Sequence, residues 1–420
     1  MAQTYFNLDK DYVINHYRFK PIKDGFLLTN DFGFWVYLNK EEFNLVRYNK
    51  LIQNQALFSL LKDKGFVIAN DNFEKSINDF RHRTRSLFRG TYYHTIYLDN
   101  KNLNEEEIDG NVKKIVDFIL QTPSRELIVE FKGNFADKSN IIKNFVDEFD
   151  KKIDKRITFK IETDLASFND DILEFLINNK FDVWFPLRNV NFSEETYSLI
   201  KEFQRRHGIN FYLDITKEIL GQEQKIIDYF IENNFKSFFI RKTDNTGYEE
   251  FIDFWKKVID YAYDINKKNG KIVFYEGYTP ILLKKILDIH DTFYPELNSL
   301  CTGAIVSELG YTLDGNIYAN GESVGIEIFN IGNVNSNYSS VISNEESLSL
   351  ISSSINNNPQ LDNNAFNPYI GNCPICNYKE NGNIILKNPS QRISTLTSMF
   401  EHLFERVIFD DGFLEFIQLK

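Results

Sequence analysis

From Tyr92 onward the chain alternates short apolar runs with amphipathic stretches, and this alternation narrows its fold more than any other feature. Runs near 92–98, 127–131, 156–162, 181–186, 209–215 and 236–241 each precede a stretch with helical spacing. Those stretches are Glu105 to Gln121, Asn140 to Lys151, Asp170 to Asn179, Glu194 to Arg206, Gln222 to Glu232 and Tyr248 to Lys268. Ile172, Phe175 and Leu176, or Ile226, Ile227, Phe230 and Ile231, mark the faces such helices bury. The short runs are nearly continuously apolar, as the strands of a helix-covered parallel sheet are. Six βα units predict an α/β fold, a partial (β/α)6 TIM-like barrel, with its chemistry in the loops at the carboxyl ends of the strands.

At 420 residues the chain is long for a single core, so two or three domains are expected. Sixty acidic against 48 basic residues give a net charge of −12, a poor match for nucleic acid or an anionic membrane. The start lacks the cationic, apolar pattern of a signal peptide, and no apolar run approaches a membrane span. A cytoplasmic protein is the expectation, and three cysteines, too few for a disulfide framework, agree with a reducing compartment.

Ahead of the barrel, Tyr17-Arg18-Phe19, Gly25 to Asn30 and Phe34 to Leu38 read as strands, with the last two joined by the turn formers Asn30-Asp31-Phe32-Gly33. Helical segments near Glu41 to Arg47 and Gln53 to Lys64 follow, and Gly65-Phe66-Val67-Ile68 closes the unit. The pattern predicts a winged, peptide-recognition-like domain over 1–75, in which an extended peptide adds a strand at an open sheet edge. Phe34, Val36 and Leu38 share one side of the third strand and are the peptide-binding candidates; a small capping domain is the alternative. A basic linker, 76–90, holds Arg81-His82-Arg83-Thr84-Arg85 and Arg89.

The loop after the first barrel strand, Asp99-Asn100-Lys101-Asn102-Leu103-Asn104, carries no cysteine, histidine or glycine cradle, and the second strand stops at Gly133-Asn134-Phe135-Ala136. This layout resembles the radical SAM enzymes, whose first loop holds C-x3-C-x2-C and whose second strand ends in Gly-Gly-Glu-Pro. The resemblance narrows through Tyr17-Arg18-Phe19-Lys20-Pro21, Leu27 to Gly33, Lys64-Gly65-Phe66, Phe239-Ile240-Arg241 and Glu276 to Leu283. These are similar to the B-type maturase of the His-Xaa-Ser peptide system, a radical SAM enzyme with a SPASM extension that acts on ribosomally made peptides. In the family, three thiolates bind a four-iron cluster whose open iron takes S-adenosylmethionine. Here Asp99 and Asn100 stand where the first cysteine and its neighbour would be, and Asn134, Phe135 and Ala136 replace the second motif. No cofactor is therefore expected in the barrel, assigned to 91–290.

The remainder, 291–420, resembles a SPASM extension followed by a terminal helix. Tyr311 to Tyr318 contains Asp314-Gly315, a strong hairpin signal, and Ala319-Asn320 takes the place of the family's next cysteine. Ser- and Asn-rich residues 335–367, with a helix near Glu345 to Ser354, are expected to be a mobile linker. Cys373 and Cys376 form a C-x-x-C knuckle, with Cys301 as a third candidate metal ligand, for zinc or an iron–sulfur cluster. A thiol pair left from a lost cluster is the alternative reading, and redox work is disfavoured for want of a thioredoxin-like βαβ pattern. Leu396, Met399, Phe400, Leu403 and Phe404 lie at helical spacing in 394–408, a face expected to pack on the barrel.

Two functional classes follow. One is a pseudoenzyme, catalytically degenerate, that recognises a precursor peptide or scaffolds an active maturase partner in a hetero-oligomer, with fold alone conferring no activity. An interaction subunit of a larger complex, with the fold serving only as a surface, is a further alternative; the other class is an enzyme that reuses the barrel cavity without radicals. Its barrel-mouth residues would be Glu162, Asp164, Asp214, Arg241 and Glu276, with His94, Glu130 and Arg188 nearby, and the three carboxylates Glu162, Asp164 and Asp214 could hold a divalent cation. An ion pair between Arg241 and Glu276 is the structural reading of those two.

Overall fold

The computed structural model describes residues 12–84, 90–99, 103–133, 135–152, 155–163, 170–188, 194–206, 208–243, 245–287, 305–354, 363–370, 373–384 and 391–417. The amino-terminal part holds β1 (Tyr12–Ile14), β2 (Tyr17–Ile22), β3 (Gly25–Asn30), β4 (Trp35–Asn39) and β5 (Val67–Ala69). β2, β3 and β4 form an antiparallel sheet with β3 in the middle, and β1 pairs with β5. The β3–β4 turn forms because the Asn30 side chain accepts the amides of Phe32 and Phe34, both at 3.1 Å, while Gly33 takes a positive φ of 76°. Asn39 ends β4 and starts helix Lys40–Arg47 through a capping box with Glu42. Leu28, Val36, Leu38, Phe43, Val46, Leu57, Leu61 and Phe66 close a separate small core.

The main sheet has ten strands. The six expected barrel strands appear as β6 (Tyr93–Tyr97), β7 (Glu126–Lys132), β8 (Arg156–Glu162), β9 (Asp182–Leu187), β10 (Asn210–Ile215) and β11 (Ser237–Lys242). Their helices are Glu105–Leu120, Phe135–Asp150, Asp170–Asn178, Glu194–Arg206, Glu223–Glu232 and Tyr248–Asn269. A two-residue β12 (Tyr275–Glu276) follows β11 in parallel. On the opposite side, β13 (Glu308–Thr312) joins β6 in parallel, and β14 (Asn316–Tyr318) and β15 (Asn330–Asn333) continue antiparallel. The order is β12-β11-β10-β9-β8-β7-β6-β13-β14-β15. Strand-to-helix alternation thus yields the expected α/β fold with a large, mostly parallel sheet. The carboxyl-terminal hairpin, tightened at Asp314-Gly315 with Gly315 at φ 84°, extends that same sheet.

Within the Ser- and Asn-rich stretch, expected to be a linker, helices Tyr338–Ile342 and Glu345–Ser354 form, because Tyr338, Val341 and Leu350 find the main core. The basic stretch opens inside helix Phe73–Thr84. The terminal helix, Gln391–Phe409, buries Leu396, Met399, Phe400, Leu403 and Phe404 against the same core as the helices that cover the main sheet. It also meets the amino-terminal sheet, where Trp35 stacks edge-on against Phe404 and Lys20 pairs with Glu401 at 2.6 Å. Among the described residues, no helix is long and apolar enough to cross a membrane.

Candidate functional site

Strand alternation divides the main sheet into two chemistries. Ile96, Val129, Phe131, Ile161, Val183, Phe185, Phe211, Leu213 and Phe238 face the helices and are buried. Their neighbours on the inner face are Tyr93, Thr95 and Tyr97 of β6, Glu130 and Lys132 of β7, and Lys160 and Glu162 of β8. Trp184, Tyr212, Asp214 and Arg241 of β9 to β11 continue it, as does Glu308 of β13. Register keeps them adjacent: Thr95 lies opposite Glu130, Glu130 opposite Lys160, and Asp214 opposite Arg241.

Two ion networks cover this face. In the first, the Lys160 ammonium lies 3.3 Å from Glu130 and donates to the Tyr93 hydroxyl at 3.0 Å and the Tyr212 hydroxyl at 3.4 Å. It also sits 4.7 Å from the Trp184 ring centroid, so three aromatic rings and a carboxylate surround one buried cation. Burial works against that charge, but Glu130 and then the tyrosines hold its pKa well above the ordinary lysine value. Burial likewise pushes Glu130 up, and Lys160 with Lys132 at 3.7 Å overcomes it, so Glu130 stays ionised. Next to it Glu308 is different. Burial raises its carboxyl to about 8, and it accepts the Gly321 amide at 2.8 Å and the Thr95 hydroxyl at 3.2 Å. Gly321 is required there, since a Cβ would come within 2.7 Å of the Thr95 hydroxyl.

The second network lies toward the carboxyl ends of the strands. Arg241 donates from Nε to Asp214 Oδ1 at 2.6 Å and from Nη1 to Glu162 Oε2 at 2.9 Å, with its guanidinium 4.7 Å over the Tyr212 ring. Arg188, largely exposed, approaches Asp214 at 3.8 Å. Of the five expected mouth residues, Glu162, Asp214 and Arg241 therefore meet, and Asp164 lies outside the described residues. Both carboxylates are turned onto a guanidinium. Among the described residues no group of three or more His, Cys, Asp or Glu is placed to hold a metal ion.

Glu276 does not pair with Arg241. Paired in register with Phe238, it points to the helix side, where it accepts the amides of Ile240, Tyr278 and Thr279, the Thr279 hydroxyl and the Trp255 indole. It is the buried anchor for the start of helix Tyr278–Leu287. His94 also leaves the mouth: it is buried under the helices with Nδ1 2.8 Å from the Tyr311 hydroxyl, its Nε2 has no hydrogen-bond partner among the described residues, and burial lowers its pKa to about 3. Lys132, Lys160, Glu308, Tyr93 and Tyr212 escaped sequence reasoning. Their only signal was a period of two within runs that read as apolar.

On the amino-terminal sheet, Val36 and Leu38 pack inward with Phe34 against the module's own core. Trp35 and Tyr37 take the other side, where the Trp35 indole donates to the Ile286 carbonyl at 3.1 Å and Tyr37 meets Phe409. Among the described residues β2 and β4 pair only with β3, leaving both outer edges of that sheet without a strand. Segment 363–370 fastens the β3–β4 turn, with Thr29 donating to the Ala365 carbonyl at 2.6 Å and Tyr369 to that of Gly33 at 3.0 Å.

At the third candidate site, Cys373 caps helix Pro374–Asn381 and its sulfur accepts the Cys376 amide at 3.4 Å. Neither cysteine is in a disulfide, and Cys301 lies outside the described residues. A hydrogen bond to Cys373, then burial, raises the Cys376 thiol.

No family model and no curated protein sequence matches the chain. Its fold is shared with solved structures. Native anSMEcpe with bound AdoMet aligns at TM-score 0.60 and 15% identity, over 75% of this chain and 98% of that one. Streptococcus suis SuiB bound to S-adenosylmethionine aligns at TM-score 0.51 and 14% identity, over 90% and 99%. SuiB bound to precursor peptide SuiA aligns at TM-score 0.51 and 13% identity, with the same coverage.

Proposed function

We propose that this chain is a relative of the radical SAM peptide maturases whose barrel has given up the iron–sulfur cluster and whose work is recognition of a peptide. The observation that carries the reading is the inner face of the barrel. Arg241 engages Asp214 and Glu162, and Lys160 engages Glu130, so the charges there satisfy one another. The donor set also does not fit a four-iron cluster. The loop after β6 contains no thiolate, and Asp99, an exposed carboxylate beside Gly133, is an oxygen donor ill suited to iron–sulfur chemistry.

Peptide recognition is assigned to the outer edge of β4, where an extended segment gains backbone hydrogen bonds without depending on its side chains. With Val36 and Leu38 committed to the core, the role of that strand lies in its backbone. The fold shared with SuiB, solved with its precursor peptide, supports the reading. The module is also held in place by Trp35, Thr29 and Tyr369 contacts, so a bound peptide would keep a fixed direction relative to the barrel.

The enzyme reading, a carboxylate cluster holding a divalent cation, is weakened by the same Arg241, which neutralises two of the three carboxylates it needs.

The test has two arms. Protein made anaerobically with iron and sulfide is expected to hold no stoichiometric iron at the barrel and to leave S-adenosylmethionine uncleaved; cleavage would defeat the proposal. Synthetic peptides from short reading frames beside the gene are then screened by fluorescence anisotropy. A binder is expected to lose affinity at least tenfold when its backbone amides are N-methylated, and equal binding would remove β4 as the site.

A further inference from the structure

We infer that Cys373 and Cys376 are a dithiol that exchanges with a low-molecular-weight disulfide and closes into an intramolecular disulfide. Three features of the fold carry this. First, the two residues occupy the cap and first turn of one helix, Cys373-Pro374-Ile375-Cys376, and the Cys373 sulfur accepts the Cys376 amide at 3.4 Å. The Cys373 sulfur therefore lies against the backbone of Cys376, and the i, i+3 spacing brings both side chains to one face of the first turn. Second, the pair is divided by access. Cys373 is 1% exposed whereas Cys376 is partly exposed, so an external disulfide meets Cys376 while Cys373 needs no path from solvent. Third, metal binding asks for more donors than the described residues bring to the pair. Among the described residues no third Cys, His, Asp or Glu joins them in a metal-sized group, and a disulfide needs none.

The sequence argued against redox work because no βαβ pattern surrounds the pair. What ring closure uses, however, is two cysteines three residues apart at the start of one helix, and the cap supplies that locally.

The chemistry balances as two exchanges. Cys376, which Cys373 and burial hold mostly as the thiol, passes its proton to solvent in the minor ionised fraction and then attacks the external disulfide, forming a mixed disulfide and expelling one thiolate. Cys373 then loses its proton and attacks the Cys376 sulfur, expelling the second thiolate. The two cysteines lose two electrons, the external disulfide gains them, and two protons end on the released thiols.

The test uses the full chain carrying Cys301→Ser, reduced, freed of reductant, and incubated with oxidised glutathione before alkylation with N-ethylmaleimide under denaturing conditions. Intact mass is expected to show both alkylation sites lost together, with no glutathione retained, and both restored by dithiothreitol. In the Cys376→Ser chain the remaining thiol is expected to stay alkylatable. Retention of two alkylatable thiols in excess oxidised glutathione, a stable glutathione adduct on the intact pair, or stoichiometric zinc or iron that blocks the thiols in protein as isolated would each overturn the inference. Unchanged circular dichroism in both variants excludes misfolding as the cause.

Discussion

Arg241 grips Asp214 with two parallel bonds, Nε to Oδ1 at 2.6 Å and Nη2 to Oδ2 at 3.2 Å, across neighbouring strands β11 and β10. The Asp214 side chain is 8% exposed and that of Arg241 is 37%, so the carboxylate depends on the guanidinium more than the reverse.

Replacing Arg241 with Met is therefore expected to destabilise the fold by about 2 kcal/mol, below the ~3–5 kcal/mol of a fully buried pair because water reaches the guanidinium. Urea unfolding measures this. Adding Asp214→Asn is expected to recover part of the loss, and full additivity of the two changes would show that the bond contributes little.

His94 is expected to make the fold acid-sensitive. Burial keeps it neutral in the folded state down to about pH 3, whereas the unfolded chain takes up the proton near the ordinary value of 6.5. Stability contributed by neutral His94 is complete above pH 6.5 and falls as pH drops from there toward 3. At pH 4 the loss is up to about 3 kcal/mol, given about 1.4 kcal/mol per pH unit. His94→Gln should flatten the dependence of the urea midpoint between pH 6.5 and 4, and an unchanged slope would assign it to other groups.

Glu308 acts in the opposite direction. Its folded-state pKa, raised to about 8 by burial, exceeds the ordinary 4.5, so the folded chain holds a proton that the unfolded chain releases. Stability is lost as pH rises from 4.5 to 8. Glu308→Gln keeps an acceptor for Gly321 and Thr95 without the charge, and at pH 8 it is expected to be the more stable protein by up to about 4 kcal/mol. A Gln variant of equal stability at pH 5 and pH 8 relative to the parent would refute the assignment.

These three sites differ in how far they could be read beforehand. Glu162, Asp214 and Arg241 were visible because charged residues closing apolar runs fall at strand ends. Lys160 and Glu130 sit inside strands whose alternate residues are apolar and Glu308 opens β13, and nothing local says that they will be neighbours. Glu276 was visible as a residue but not as a helix anchor, since its side depends on the register between β12 and β11.

What the sequence determined alone was the order and kind of elements. Helix and strand periods, the Asn104–Glu107 capping box at the helix after β6 and the Asp314-Gly315 turn all act within a few residues, and the observed boundaries follow them closely. Only the tertiary structure decided that β13 lies beside β6, more than 200 residues away, that Val36 and Leu38 face a core, and that Cys373 is buried in the main core. Local spacing sets which face of an element is apolar, whereas the partner that face or charge meets is set by which distant surfaces the chain closes together.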